Sequence, residues 1–353
     1  MTAHEKSHQK GVRAYTASSR TAIADRLAAT PFVPAWWLPG GHLQTAWGPL
    51  CRQNPRNPMR KEIWTTPDDD ELNVYFRDGA SGRPIVLLLH GLEGSVQSKY
   101  VQGLVRSFSR LAWTTVVMEY RTCDGVMNRA QRMYHAGETS DLAFVMENTL
   151  RRFPGSALFL CGISLGGNIS AKWLGEQGDT VPPALLGAAM ISAPYDLARC
   201  AEHIDSVRDG VYARWFLKSL IPKAIAKAER VPGVMDVEKI RNARTFWEYD
   251  TYATAALHGF ESAEDYWARS SCGQFLPSIR VPSMFVSAED DPFTPGALIP
   301  KREMEQLPFL YPQITAHGGH VGFVSGAAPF TARYWVEHQV PAFFDALAQL
   351  NGA

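Results

Sequence analysis

Several absences narrow the class of this chain before any motif is read. Only five of its 353 residues are cysteine (Cys51, Cys123, Cys161, Cys200 and Cys272), and no two form a C-x-x-C pair. An odd, scattered set fits reduced thiols and fits poorly with a disulfide framework or a zinc site. No apolar run approaches the roughly 18 residues that a membrane-spanning helix needs. Residues 1–30 lack the apolar core of a secretory signal, and Glu5 and Asp25 count against a mitochondrial transit peptide. Charge of one sign is missing too: Lys+Arg and Asp+Glu both number 35, which argues against a nucleic-acid partner. Internal repeats and low-complexity tracts are absent. The expectation is a cytoplasmic globular protein with a flexible tail over residues 1–30.

What is present is an alternation of strand and helix signals. Ile85-Val86-Leu87-Leu88-Leu89 is a solid apolar run, as expected of a parallel strand buried on both faces. Further strands are expected over 71–78, 114–120, 157–161, 185–192, 282–287 and 313–316. Helices are expected over 98–113, 138–153, 165–176, 300–306 and 332–350. This order implies an α/β fold with a doubly wound, mostly parallel sheet and right-handed crossovers. From 197 to 278 the alternation stops and the chain reads as helical and rich in aromatics. The expected organisation is a core from 31–196 and 279–353, with a helical cap insertion over 197–278.

The chemistry concentrates where strands end. Phe159-Leu160-Cys161 runs into Gly162-Ile163-Ser164-Leu165-Gly166, a G-x-S-x-G pattern followed at once by a helix. A serine that attacks a carbonyl must stand out of the sheet on a sharp turn, with no Cβ two positions to either side. At a helix N-terminus it also meets N–H groups and a positive dipole end that favour a developing oxyanion. A serine nucleophile needs a base, and the base needs an acid to orient it; in such sheets the chain order is serine, acid, histidine.

After Ser164, the acid is expected at Asp291, on the turn before Pro292, with Asp196 as the geometric alternative. The base is expected at His320, where two preceding glycines let the loop swing over the serine; His317 reads as a structural histidine. The oxyanion donors are expected to be the backbone N–H groups of Leu92 and Leu165, with His90 stabilising the first of these loops. No spacing suggests a metal, and nothing calls for a cofactor.

With these residues placed, the chain resembles the α/β-hydrolase superfamily and, within it, the YheT-like branch. That branch is related to plant embryogenesis-associated proteins and animal abhydrolase-domain lipid hydrolases. The resemblance rests on His42-Leu43-Gln44-Thr45, His90 to Gly94, Tyr120-Arg121, Gly162 to Asn168, Leu257-His258-Gly259-Phe260, Asp290 to Phe293 and His317 to Phe323. It implies the α/β-hydrolase fold and Ser164, Asp291 and His320 as a charge-relay set. Gly41 departs from the family's usual proline before His-Leu-Gln-Thr.

The implied activity is a serine carboxylesterase acting on short- to medium-chain or monoacylglycerol-like esters through an acyl-enzyme. The alternatives are an acyltransferase with the same triad and a non-catalytic ligand receptor. In residues 211–230, Trp215, Phe216 and Leu220 stand beside Arg214, Lys218, Lys223, Lys227 and Arg230. This segment reads as an amphipathic cap helix interrupted by Pro222, its basic face in water. Contact with an anionic membrane surface is the sharper alternative.

Overall fold

The computed structural model describes residues 15–353. The sheet has eight strands: β1 (Arg60–Thr65), β2 (Glu71–Arg77), β3 (Ile85–Leu89), β4 (Thr114–Glu119), β5 (Leu158–Ile163), β6 (Leu185–Ile191), β7 (Ser283–Ala288) and β8 (Leu310–Thr315). Their order is β1-β2-β4-β3-β5-β6-β7-β8. β1 and β2 are antiparallel, β2 is antiparallel to β4, and the rest run parallel. The side-chain period of two divides β3 between the two faces of the sheet. Ile85, Leu87 and Leu89 enter one core, Val86 and Leu88 the other, and all five residues are buried.

Helix α1 (Ala17–Ala28) precedes the sheet, and α2 (Gly41–Cys51) follows it in sequence before β1. Crossovers α3 (Lys99–Arg110), α4 (Ser140–Arg152) and α5 (Leu165–Gln177) link β3 to β6. Between β6 and β7 lie the helices α6 (Leu197–Ser206), α7 (Val211–Arg230), α8 (Val237–Asn242), α9 (Phe246–Tyr249), α10 (Ala256–His258) and α11 (Ala263–Ser270). Their buried residues Phe216, Leu220, Phe246 and Trp267 join the same core as Leu87 and Ile169. The chain then closes through α12 (Lys301–Gln306) and α13 (Val336–Leu350).

Four expectations are corrected. The first is the flexible tail. Thr16 caps α1 reciprocally: the Ser19 N–H donates to Thr16 Oγ1 at 3.2 Å, and the Thr16 N–H donates to Ser19 Oγ at 2.7 Å. Ile23 and Leu27 are buried in one core with Phe343 and Phe344 of α13, and Gln339 Nε2 donates to the Leu27 carbonyl at 2.9 Å. Two apolar residues one turn apart give little periodicity, so the helix was hidden in a polar stretch. The expected tail's residues 1–14 lie outside the described residues.

Secondly, β8 begins at Leu310, not 313. It is the sheet edge, the one place a strand tolerates Pro312 without losing a ladder bond. Thirdly, α13 begins at Val336, because Arg333-Tyr334 pair antiparallel with Val324-Ser325. Fourthly, Pro222 does not interrupt α7, which is 20 residues long. Pro222 and Lys218, whose carbonyl loses its helical partner, both lie on the exposed face, so the missing bond is not buried.

A docked α1 makes Leu27 a core residue, so Leu27→Ala is expected to cost about 2 kcal/mol or more in urea unfolding. An unchanged midpoint would mean that the segment contributes nothing to the core.

Candidate active site

β5 and α5 meet with no linker, and Ser164 is the whole turn. Its backbone sits at φ 54° and ψ −117°, a conformation that side-chain-bearing residues rarely adopt. The surroundings leave no alternative. A Cβ on Gly162 would overlap the Gly166 carbonyl, and one on Gly166 would stand 2.6 Å from the His90 carbonyl oxygen. G-x-S-x-G is therefore a packing requirement of a turn wedged against the end of β3. The Ser164 N–H is satisfied by the Ile191 carbonyl at 2.7 Å, and its carbonyl accepts from the Asn168 N–H at 3.1 Å.

Ser164 Oγ lies 2.8 Å from His320 Nε2, and His320 Nδ1 lies 2.8 Å from Asp291 Oδ2. The Asp291 side chain is 1% exposed and that of His320 is 9% exposed. The other carboxylate oxygen of Asp291 accepts from the N–H groups of Phe293 and Thr294, at 2.7 and 3.1 Å, which fixes its rotamer. The Phe293 ring covers His320, with centroids 4.4 Å apart.

The two alternatives stand elsewhere. Asp196 Oδ1 caps α6 by accepting from the Arg199 N–H at 3.0 Å. His317 is 58% exposed and its Nδ1 lies 3.2 Å from Asp290 Oδ2. Asp290 also accepts from the Gly319 N–H at 2.9 Å, so adjacent aspartates hold the two ends of one loop.

β3 and β5 are sheet neighbours in the register Leu89↔Gly162, which brings the loop after β3 against the serine. A Cβ on Gly91 would stand 3.2 Å from Ser164 Cβ. The N–H groups of Leu92 and Leu165 carry no hydrogen bond among the described residues, and both leucines line the cavity over Ser164. His90 holds this loop: the Tyr120 N–H donates to Nε2 at 3.2 Å, which leaves Nδ1 to donate to the Gly91 carbonyl at 2.8 Å. Burial pushes its pKa down to about 4, so the ring stays neutral.

Two supports were not assigned from the sequence. In α2, Thr45 Oγ1 accepts from the His320 N–H at 2.8 Å and donates to the Gly41 carbonyl at 2.7 Å. Gln44 is buried, accepting from the Val324 N–H at 2.7 Å and donating to the Val324 carbonyl at 3.1 Å. His-Leu-Gln-Thr thus clamps the histidine loop, a role visible only once residues almost 300 positions apart are brought together. Gly41 is explained as well: a Cβ there would overlap the Asp290 carbonyl. Asn168 is the second support. It donates to the carbonyls of Ala136 and Ser270 at 2.8 and 2.9 Å and accepts from the Cys272 N–H at 2.9 Å, joining α5 to the helices above it.

The expected water-facing basic side of α7 is corrected in part here: Arg214, Lys218 and Arg230 are exposed, but Lys223 and Lys227 turn toward the body. Lys227 is wholly buried, donating to the carbonyls of Asn128 and Ala130 at 3.0 and 2.8 Å. Burial lowers its pKa to about 8. Lys223 Nζ donates to Glu93 at 2.9 Å, and Glu93 also accepts from the Tyr134 hydroxyl at 2.6 Å. Glu93 follows Leu92 directly, so α7 is tied to the loop beside the serine. Below it, a cavity of about 140 Å³ opens from Ser164 and His320 between Leu92, Leu197, Phe216, Leu220, Phe246 and Leu257. Among the described residues no cluster of metal-ligating side chains was found.

The chain matches the family described as the alpha/beta hydrolase fold over residues 84–327. It is 33% identical to YheT of Escherichia coli (strain K12), a candidate esterase, over 89% of this chain and 93% of that protein. It is 27% identical to the phospholipase ABHD3 of Mus musculus over 86% of this chain and 75% of that one. Identity to the monoacylglycerol lipase of Saccharomyces cerevisiae is 28%, over 76% of this chain and 60% of the lipase. With this fold and these matches, the chain belongs to the α/β-hydrolase family and is a hydrolase enzyme. Within that family it falls in the YheT-like branch.

Thr45→Val removes the bond to the His320 loop while keeping the side-chain volume. Activity is expected to fall about tenfold or more, through misplacement of the ring, with melting temperature little changed; ester turnover and a thermal melt check this. Equal losses of stability and activity would make Thr45 a folding residue only.

Burial holds His90 near pKa 4, His135 near 3 and His258 near 4, against about 6.5 in an unfolded chain. Between those values the unfolded state binds protons that the folded state does not, so stability falls as pH drops from 6.5. Asp205, Asp250 and Glu337, pushed up by burial, work in the opposite direction, but His42 and His338 are lowered by burial as well, so three carboxyls stand against five histidines. The melting temperature is expected to rise between about pH 4.5 and 6.5 and then level; a fall over that range would contradict this.

Proposed function

We propose that the protein is a serine esterase that cleaves short- to medium-chain or monoacylglycerol-like carboxylic esters through an acyl-enzyme. The observation that carries this reading is the continuous chain Asp291–His320–Ser164, with both links at 2.8 Å. Ser164 Oγ attacks the ester carbonyl while His320 Nε2 takes its proton, and Asp291 holds the tautomer and stabilises the imidazolium. The tetrahedral oxyanion takes the N–H groups of Leu92 and Leu165. His320 then hands its proton to the departing alcohol, and the same ring activates the water that releases the acid.

The size and lining of the cavity support the substrate class. An apolar cavity of about 150 Å³ takes a benzene-sized group, and the one beside Ser164 is about 140 Å³. That suits a short acyl chain better than a long one. The names of relatives, esterase, phospholipase and monoacylglycerol lipase, support carboxylic esters in general. Membrane contact through α7 is not part of the reading, because Lys223, Lys227 and Arg230 are taken up by Glu93 and by the carbonyls of Met127, Asn128 and Ala130.

The test is hydrolysis of p-nitrophenyl esters from acetate to palmitate by wild type and Ser164→Ala. Turnover is expected to be greatest among the shorter chains and to fall on the order of 10⁶-fold, or to background, in the mutant. A wild type inert on every ester and unlabelled by a fluorophosphonate would overturn the reading.

A further inference from the structure

Two histidines in the wall of the apolar cavity take no part in the proposed chemistry. His258 ends α10, and Gly259, at φ +73°, stops the helix there. Ahead of it, Asp250–Ala255 form one π-helical turn, an irregularity common at functional sites. His135 lies on the loop before α4, and its ring centroid is 4.4 Å from that of His258. Both rings line the cavity that holds Ser164 and His320. The next residue, Ala136, is tied by its carbonyl to Asn168, one helical turn beyond the serine.

Three of the pair's four ring nitrogens have no hydrogen-bond partner among the described residues. Neither ring nitrogen of His258 makes a hydrogen bond among the described residues. His135 Nδ1 accepts from the Gly137 N–H at 3.1 Å, which places the ring proton on Nε2. That nitrogen is 4.0 Å from Glu138 Oε2, too far for a hydrogen bond. Burial holds both rings neutral. Between them the rings carry two donors and one acceptor without a hydrogen-bond partner, in the wall of a cavity whose other lining is mostly apolar. Unpaired polar groups in such a site discriminate strongly for a ligand that pairs them.

We propose that His258 and His135 form a subsite for an uncharged hydroxyl group of the substrate. A hydroxyl both donates and accepts, which matches a neutral imidazole pair, whereas an anion would face the Glu138 carboxylate behind His135. The proposal refines the esterase reading and rests on it for the identity of the ligand. The hydroxyl belongs either to the alcohol portion, as in an acylglycerol, or to the acyl chain.

The test measures binding without turnover, in the Ser164→Ala background, by isothermal titration. The ligands are methyl octanoate, 1-monooctanoylglycerol and methyl 3-hydroxyoctanoate. One hydroxylated ester is expected to bind about tenfold tighter than methyl octanoate, and which one identifies the portion that carries the hydroxyl. Adding His258→Leu should erase the difference without weakening methyl octanoate, and His258→Gln should restore part of it. Should the leucine variant fail to fold, His135→Phe reads the same loss. Equal binding of all three esters, no binding at all, or an advantage that survives these substitutions would overturn the proposal. Failure of the esterase reading appears separately, as a protein with Ser164 intact that binds these esters but does not turn them over.

Discussion

The whole site hangs on one crowded junction, where β5 turns into α5 against the end of β3. Ser164 is held there in a backbone conformation that costs on the order of 1–3 kcal/mol, and the surrounding sheet sustains it. Strand pairing between β3 and β5 presses the turn against the His90 carbonyl, and that contact excludes a Cβ at Gly166. The same closeness sets Gly91 and Leu92 beside the serine. Ser164 and the loop that carries Leu92 are thus placed by one event, the parallel pairing of two strands far apart in sequence.

Everything else at the site keeps long loops in register with that junction. The histidine loop is the longest reach, and it is held from both sides. Asp290 and Asp291, just beyond β7, hold it at Gly319 and His320, while Gln44 and Thr45 bind it from α2. On the opposite side, Lys223 and Glu93 join α7 to the loop after β3, and Asn168 joins α5 to the segments at Ala136, Ser270 and Cys272. These are buried or half-buried polar contacts between elements with no local reason to meet. They give the apolar cavity its fixed walls, and they position His135 and His258 in them.

The sequence was most informative where a single local rule sufficed. Apolar runs marked β3 and β5 because a strand covered on both faces has no polar positions. G-x-S-x-G marked the turn because its glycines answer steric limits within a few residues. Asp291 and His320 followed from strand ends and chain order. Signals failed where the decisive contact was distant. α1 carries only Ile23 and Leu27 toward the core, β1 is a polar edge strand, and Pro312 masked the start of β8. The cations of α7 read as a solvated face, yet Lys227 is satisfied by backbone carbonyls almost 100 residues away, which no pattern within the helix could reveal.

The sequence by itself therefore determined the fold class, the order of its elements and the residues able to carry serine chemistry, because these depend on hydrophobic period, turn sterics and chain order. Only the tertiary structure decided what His-Leu-Gln-Thr is for, which cations of α7 are buried, and that His258 is left unpaired beside the cavity. Each of those depends on hydrogen-bond partners supplied by other elements, and a partner's position exists only once the chain has closed on itself.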